Sequence, residues 1–268
     1  MSGDSRNGDD PLPSIASEIG RYKIIPIEGL PRFCGGAVGY ASYETATRFE
    51  SLPSPEQDTL NLPESLFMFV DTMLVYDHVT HMIKVISLAR LDKDIHHSYR
   101  EAIRKIDNLI ERLNQPLPAP EDKKPGKPVS DDDIKSNFRR RDFEKSVEKV
   151  KEYITEGEAI QVVISQRLSR PTSATPFEIY RSLRAINPSP YMYFLDLKDF
   201  HIIGASPEVL VRVEDGTVTT RPLAGTRPRG SSPEHDKALE EELTKEVTSE
   251  IFCCPIEFSS SVLLRRSA

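Results

Sequence analysis

Five prolines fall within residues 114–135, at Pro116, Pro118, Pro120, Pro125 and Pro128. Each fixes its own φ, removes a backbone donor and pushes the residue before it out of helical conformation. No apolar periodicity survives across the stretch, and Asp131-Asp132-Asp133 places like charges side by side near its end. Neither a regular helix nor a central strand runs through such a segment, so it reads as a flexible linker. It divides the chain into an N-terminal part, 15–113, and a second part, 136–247. Residues 1–14 read as a disordered polar lead, with structure beginning near Ile15. Residues 248–268 read as a divergent tail that continues neither a helix face nor a clear strand.

Within the two parts, periodicity switches repeatedly between that of helix and that of strand. Ile95, Tyr99, Ile103, Ile106, Ile110 and Leu113 recur at three- and four-residue spacing, the pattern of an amphipathic helix that stops before Pro116. Residues 66–76 and 82–89 are apolar and β-branched around the polar break 78–81, which predicts two antiparallel strands and a turn. Phe143, Val147, Val150 and Ile154 mark a further helix ended by Gly157, and 160–168 reads as a strand. Thr175-Pro176-Phe177-Glu178 is a helix start: a capping hydroxyl, a proline where no amide bond is lost, and a glutamate able to close a capping box. Short strands follow over 191–197, 201–203, 208–213 and 217–221, with Asp215-Gly216 as a hairpin turn, and a last helix runs over 233–247. Helices alternating irregularly with antiparallel strands make the fold class α+β rather than a doubly wound parallel sheet.

Charge excludes one class of partner. Lys and Arg number 35 against 42 Asp and Glu, a net charge of −7, which does not match nucleic acid. No run is long enough to span a membrane, and the acidic, polar start resembles neither a signal peptide nor a transit peptide, so the cytoplasm is the expected location. Cys34, Cys253 and Cys254 are too few and too scattered for a disulfide framework.

Chemistry concentrates in the second part. Arg221-Pro222-Leu223-Ala224-Gly225-Thr226-Arg227-Pro228-Arg229-Gly230 joins three arginines and a hydroxyl to a constrained backbone. Arg227 or Arg229 can hold a carboxylate through a bidentate fork, with Thr226 donating to the same ligand. The competing reading is a surface turn whose arginines pair with the acidic helix at Glu240, Glu241 and Glu242. Gly204-Ala205-Ser206-Pro207-Glu208 reads as a small-residue turn feeding a strand, with Glu208 able to orient an arginine. Gln161 sits in an apolar strand pattern, where an amide either faces a pocket or bonds to neighbouring backbone. His78 and His81 lie in a turn with no third metal ligand nearby, and no nucleophile elbow, phosphate loop or zinc-spaced cysteine pair is present.

Five segments in order carry a resemblance that spans roughly residues 20–246: Leu30-Pro31-Arg32-Phe33 through Gly35-Gly36-Ala37-Val38-Gly39-Tyr40; Tyr153 through Gly157 with Gln161-Val162-Val163; Asn187-Pro188-Ser189-Pro190-Tyr191-Met192; Gly204 through Glu208; and Arg221 through Gly230. On these the chain resembles the large subunit, component I, of anthranilate synthase, among the chorismate-utilising enzymes. The resemblance implies a partial chorismate-binding sandwich, with antiparallel sheets in the middle and helices outside. It implies conversion of chorismate to anthranilate and pyruvate, with ammonia drawn from glutamine by an amidotransferase subunit or domain. Magnesium would hold chorismate, and tryptophan would inhibit. Gly225, Thr226 and Arg227 would support the substrate, and Pro190, Tyr191 and Met192 would belong to the inhibitor site. Gln161 would be the catalytic-face residue. Relatives that add water to chorismate resemble this strand but carry a lysine there, which can act as a general base toward water where an amide cannot. Gln161 therefore favours ammonia over water as nucleophile.

Aminodeoxychorismate synthase shares these short motifs and stands as the alternative, as does a noncatalytic partner-binding role. The family's later segments, with a catalytic histidine, a substrate-contacting threonine, a carboxylate-binding arginine and metal-binding glutamates, have no match here, nor does its leucine-leucine-glutamate-serine inhibitor motif. Magnesium takes about six oxygens, and Glu246 and Glu250 are not assigned as its ligands, so no metal residue is named. The expectation is a truncated member that is inactive alone.

Overall fold

The computed structural model describes residues 11–25, 27–53, 58–92, 94–117, 130–221 and 227–245. The chain forms two compact units that divide between residues 121 and 122. That division falls within the proline-rich stretch 114–135. No helix among the described residues is long and apolar enough to cross a membrane.

The first unit opens with α1, Pro11–Gly20, four residues before the onset expected near Ile15. Strand β1, Gly36–Ala41, pairs antiparallel with β2, Ser65–Val70, and β3, Thr72–Asp77, pairs antiparallel with β4, Met82–Ser87. The single strand expected over 66–76 is thus two strands with different neighbours, broken at Asp71. The β3–β4 turn forms because Asp77 Oδ1 accepts from the amides of Val79 and Thr80, at 3.0 and 3.1 Å, and His81 completes it at φ 55°. In β1, Gly39 lies opposite Phe67 so closely that a Cβ would run into the Leu66 carbonyl.

Helix α2, Ile95–Asn114, packs on β4. Asp94 caps it: its Oδ1 accepts from the amides of His96 and His97, at 3.0 and 3.2 Å, satisfying two of the four donors a helix start leaves unpaired. Gln115 then turns to extended conformation before Pro116, as a residue preceding proline must. Lys105 on α2 reaches Asp71 at the strand break, Nζ to Oδ2 2.7 Å, which ties the helix to the sheet corner.

In the second unit a short 3-10 helix, Asp131–Asp133, precedes the two-residue strand β5, Lys135–Ser136, and α3, Arg140–Glu156. Helix α3 ends at Gly157, φ 81°, whose amide donates to Ile154 while that of Glu158 donates to Tyr153 at 2.9 Å. Only a residue without a Cβ adopts this left-handed closure at no cost. Strand β6 is Leu168–Ser169 alone, paired with β5. The strand expected over 160–168 is therefore confined to its last residue. The cause lies in β5, which stops after Ser136. Asn137 turns its side chain onto the Arg167 amide at 2.7 Å and its own amide onto the Arg167 carbonyl at 3.1 Å, and the chain then leaves for α3.

Helix α4, Pro176–Ile186, starts at the expected capping box. The Glu178 amide donates to Thr175 Oγ1 at 3.3 Å, and the Thr175 amide donates to Glu178 Oε2 at 2.6 Å. It packs on the hairpin of β7, Tyr191–Asp196, and β8, His201–Ser206. Strands β9, Arg212–Glu214, and β10, Thr217–Thr219, form a short hairpin around Asp215-Gly216, both at positive φ. Both are shorter than the strands expected over 208–213 and 217–221. Helix α5, Pro233–Lys245, is the last described element. Antiparallel pairs with helices packed against them make each unit α+β, as the periodicity implies.

Candidate functional site

Strand pairing brings two of the motif segments side by side. In the β7–β8 hairpin Tyr191 lies opposite Ser206, Met192 opposite Ala205 and Tyr193 opposite Gly204. The segment ending in Met192 and the segment beginning at Gly204 are thus neighbouring strands. Gly204, Ala205 and Ser206 complete β8 rather than forming a turn. The bend comes after them, where Ser206 Oγ donates to the Glu208 carbonyl at 2.8 Å and accepts from the Glu208 amide at 3.3 Å. Among the described residues, the Glu208 carboxylate has no arginine partner.

The alternation of side chains assigns the two faces of this hairpin. Phe194 meets Phe177 and Tyr180 of α4 edge-on, with ring centroids 5.6 and 5.8 Å apart, so its face points toward the helix. Met192 shares that face. Tyr191 and Tyr193 occupy the other one, and both remain about two-fifths exposed, at 42% and 43%. Tyr191 and Met192 therefore present their side chains to opposite sides of the sheet. Tyr193, which the sequence does not single out, lays its ring over Gly204 in the space a Cβ would take. The available signal was a glycine in a strand pattern, which marks the close approach of another group.

On the helix-facing side, His201 Nε2 lies 3.3 Å from Asp196 Oδ1, its cross-strand partner, and its ring is 5.6 Å from that of Phe194. The Phe177, Tyr180, Phe194 and His201 rings form a continuous aromatic layer behind the two motif strands. Such contacts hold the hairpin on α4 with orientation as well as area.

The arginine-rich segment divides. Pro222, Leu223, Ala224, Gly225 and Thr226 lie outside the described residues, so the positions of Gly225 and Thr226 as substrate-supporting groups remain expectations. Arg227 is described: its Nε lies 3.1 Å from Glu242 Oε1 on α5. Arg229 Nη2 lies 2.5 Å from Asp236 Oδ2, and Asp236 Oδ1 accepts from the Gly230 amide at 2.7 Å. Arg227 thus pairs with one of the three glutamates of the competing reading, whereas Arg229 pairs with Asp236 earlier in the same helix. Gly230 lies so close to Asp236 that a Cβ would strike its backbone. Glu234, in the first turn of α5, has its carboxyl held below the ordinary glutamate value by hydrogen bonds from its own amide and from Ser232.

Gln161 lies on the stretch between α3 and β6, outside any strand, and is exposed. It is not joined by a hydrogen bond to any described residue. His78 and His81 flank a solvent-exposed turn, and among the described residues no three His, Cys, Asp or Glu side chains gather as a metal site.

Residues 4–247 match the family described as chorismate binding enzyme. The chain is 42% identical over 243 residues to anthranilate synthase component 1 of Pseudomonas putida, a match covering 90% of this chain and 49% of that protein. It is 43% identical over 237 residues to anthranilate synthase component 1 of Acetivibrio thermocellus, covering 87% and 48%. In the crystal structure of anthranilate synthase component I from Streptococcus pneumoniae TIGR4, the likeness has a TM-score of 0.72 at 31% identity and covers 92% of this chain and 52% of that one. The chain spans about half the length of the curated relatives it matches. A family match over most of the chain, agreeing in sequence and in fold, means that the chain belongs to the chorismate binding enzymes.

Proposed function

We propose that the chain provides part of an anthranilate-forming site, and that it makes no anthranilate by itself. The observation that carries this reading is the β7–β8 register, which sets the Tyr191-Met192 segment beside the Gly204-Ala205-Ser206 segment. Two motifs joined by one short connection lie side by side on one hairpin, within a chain 42% identical to anthranilate synthase component 1 of P. putida.

In the reaction, ammonia adds to the chorismate ring as its hydroxyl departs as water, and elimination of pyruvate leaves anthranilate. Arg227, held beside Glu242, would turn its fork toward a substrate carboxylate together with Gly225 and Thr226. Gln161 would line the reacting face without competing as a base, leaving ammonia as the nucleophile. Pro190, Tyr191 and Met192 would take part in binding a tryptophan inhibitor. Tyr191 would face the side shared with Tyr193, and Met192 the side facing α4. An amidotransferase partner would supply the ammonia.

Among the described residues no three His, Cys, Asp or Glu side chains gather, and no residue is assigned to hold magnesium. No step is assigned to it.

The test joins this chain with the portion of P. putida component 1 that it does not match, both produced in the same cells, and follows anthranilate fluorescence with chorismate, magnesium and excess ammonia. The expected result is sustained anthranilate formation by the pair. In that pair Gln161→Lys is expected to impair ammonia use or divert product. Ammonia-dependent turnover and product distribution left unchanged by Gln161→Lys would remove Gln161 from the reacting face.

A further inference from the structure

Three polar atoms in the connection from β1 to β2 are buried without partners. Tyr43–Arg48 forms a short 3-10 helix, with Ser42 before it at the N-cap position. Ser42 Oγ, Thr45 Oγ1 and Arg48 Nε are each out of reach of solvent and have no hydrogen-bond partner among the described residues. Their spacing of three is one turn of a 3-10 helix, which sets the three residues along one side. Thr45 is only 7% exposed. Thr47, in the same turn, meets its need by donating to the Glu44 carbonyl at 2.7 Å. The Ser42 hydroxyl caps nothing, although serine at that position ordinarily does. A buried polar group without a partner carries its full desolvation cost, and opening of the segment to water removes that cost.

Glu64, just before β2, holds both ends of this segment, and unequally. Its carbonyl accepts from the Ser42 amide at 2.7 Å, continuing the ladder one step beyond the Ala41–Ser65 pair. On the same side, the Tyr40 hydroxyl donates to the Pro63 carbonyl at 2.6 Å. The Glu64 carboxylate, by contrast, has Oε2 3.4 Å from Arg48 Nη2, with the two side chains 53% and 33% exposed. An ion pair that long and that exposed holds little. We propose that residues 42–48 form a strap, hinged at the Ser42–Glu64 backbone bond and latched by Arg48 on Glu64, that opens as a unit while β1 and β2 stay paired. In the open state Ser42, Thr45 and Arg48 donate to water.

The experiment measures backbone amide exchange in the whole chain, residue by residue. The reporters are Thr45, whose amide donates to the Ser42 carbonyl at 3.1 Å, and Phe49 and Glu50, both donating to the Ala46 carbonyl at 3.0 Å. They should exchange at least about tenfold faster than the slowest amides of β1 and β2. Thr45→Val keeps the shape and removes the unpaired hydroxyl, so it should slow the reporters by at least about threefold and leave β1 and β2 unchanged. Ser42→Ala should leave the reporters unchanged or slower, where loss of a capping serine would speed them about fivefold. Glu64→Gln keeps the hinge carbonyl and weakens the latch, so it should speed the reporters about two- to fivefold with β1 and β2 unchanged.

Reporters that speed up in Thr45→Val while β1 and β2 hold, or that speed up in Ser42→Ala, would mean that the hydroxyls are paired and would overturn the proposal. So would reporters that Glu64→Gln leaves unmoved, or that move only together with the strand amides. Should Thr45→Val loosen β1 and β2 as well, Ser42→Ala decides alone, an acceleration overturning the strap and its absence supporting it.

Discussion

The ring of Tyr193 covers the Cα of Gly204, its cross-strand partner, and occupies the volume a side chain at 204 would need. An aromatic laid over a strand glycine restores apolar cover where the glycine has none, and it couples the two positions energetically. Gly204→Ala should displace the ring at a cost of about 1 kcal/mol, because the obstructing atoms are the far end of a side chain that can swing. In a Tyr193→Ala background the same change should be close to neutral. Urea unfolding of the four proteins in this double-mutant cycle measures the coupling, and additive effects would refute the contact.

Gly39 provides the contrast. There the obstruction is the Leu66 carbonyl on the paired strand, and backbone cannot rotate away. Gly39→Ala should force β1 and β2 apart and cost about 2 kcal/mol or more. The comparison of its Tm loss with that of Gly204→Ala tests whether backbone or side-chain obstruction decides the penalty. A smaller loss at Gly39 than at Gly204 would contradict it.

Much of the helical framework was legible in the sequence, because helix ends are set locally. Thr175, Pro176 and Glu178 carry their cap within four residues, and Gly157 carries its own left-handed closure. Residues 160–168 were not legible in the same way. Their alternation specifies a strand, but whether a strand forms depends on a neighbour, and β5 ends at Ser136. The division of Tyr191 and Met192 between two faces is visible only once Phe194 is seen against α4. Of the arginine-rich segment, the sequence supplied both the ligand reading and the pairing with the acidic helix. Arg227 beside Glu242 is a pair of the second kind, while Arg229 pairs with Asp236, a partner the sequence reading did not name.

The Thr175–Glu178 box gives a prediction of local stability. Thr175→Ala removes the acceptor for the Glu178 amide and should destabilise the second unit by about 1 kcal/mol. Thr175→Ser should retain most of it. Equal losses in the two variants, read by urea unfolding, would show that the hydroxyl does not cap α4.

The Asp71–Lys105 link predicts a pH dependence. Burial pushes the Asp71 carboxyl up, but hydrogen bonds from Lys105 and Thr72 and the lysine charge outweigh it, leaving the carboxyl below the ordinary aspartate value. The folded carboxyl then gives up its proton at lower pH than the unfolded one. Its contribution is present above the unfolded pKa and is lost as pH falls through the folded pKa. With Asp71 61% exposed, solvent screening keeps the contribution below about 1 kcal/mol. Lys105→Ala should lower the urea midpoint slightly and equally at about pH 7 and about pH 5, with the difference shrinking at about pH 3. A difference that grew toward acid would reverse the assigned sign.

The central claim is the proposal that this chain carries part of an anthranilate-forming site and does not form anthranilate alone. The direct measurement is anthranilate fluorescence over time from purified, folded, monodisperse chain supplied with chorismate, magnesium and excess ammonia. The account predicts no enzyme-dependent signal from the chain alone and sustained formation once the unmatched portion of component 1 is bound. Sustained anthranilate formation by the chain alone would contradict it, and would mean that its own residues complete the site.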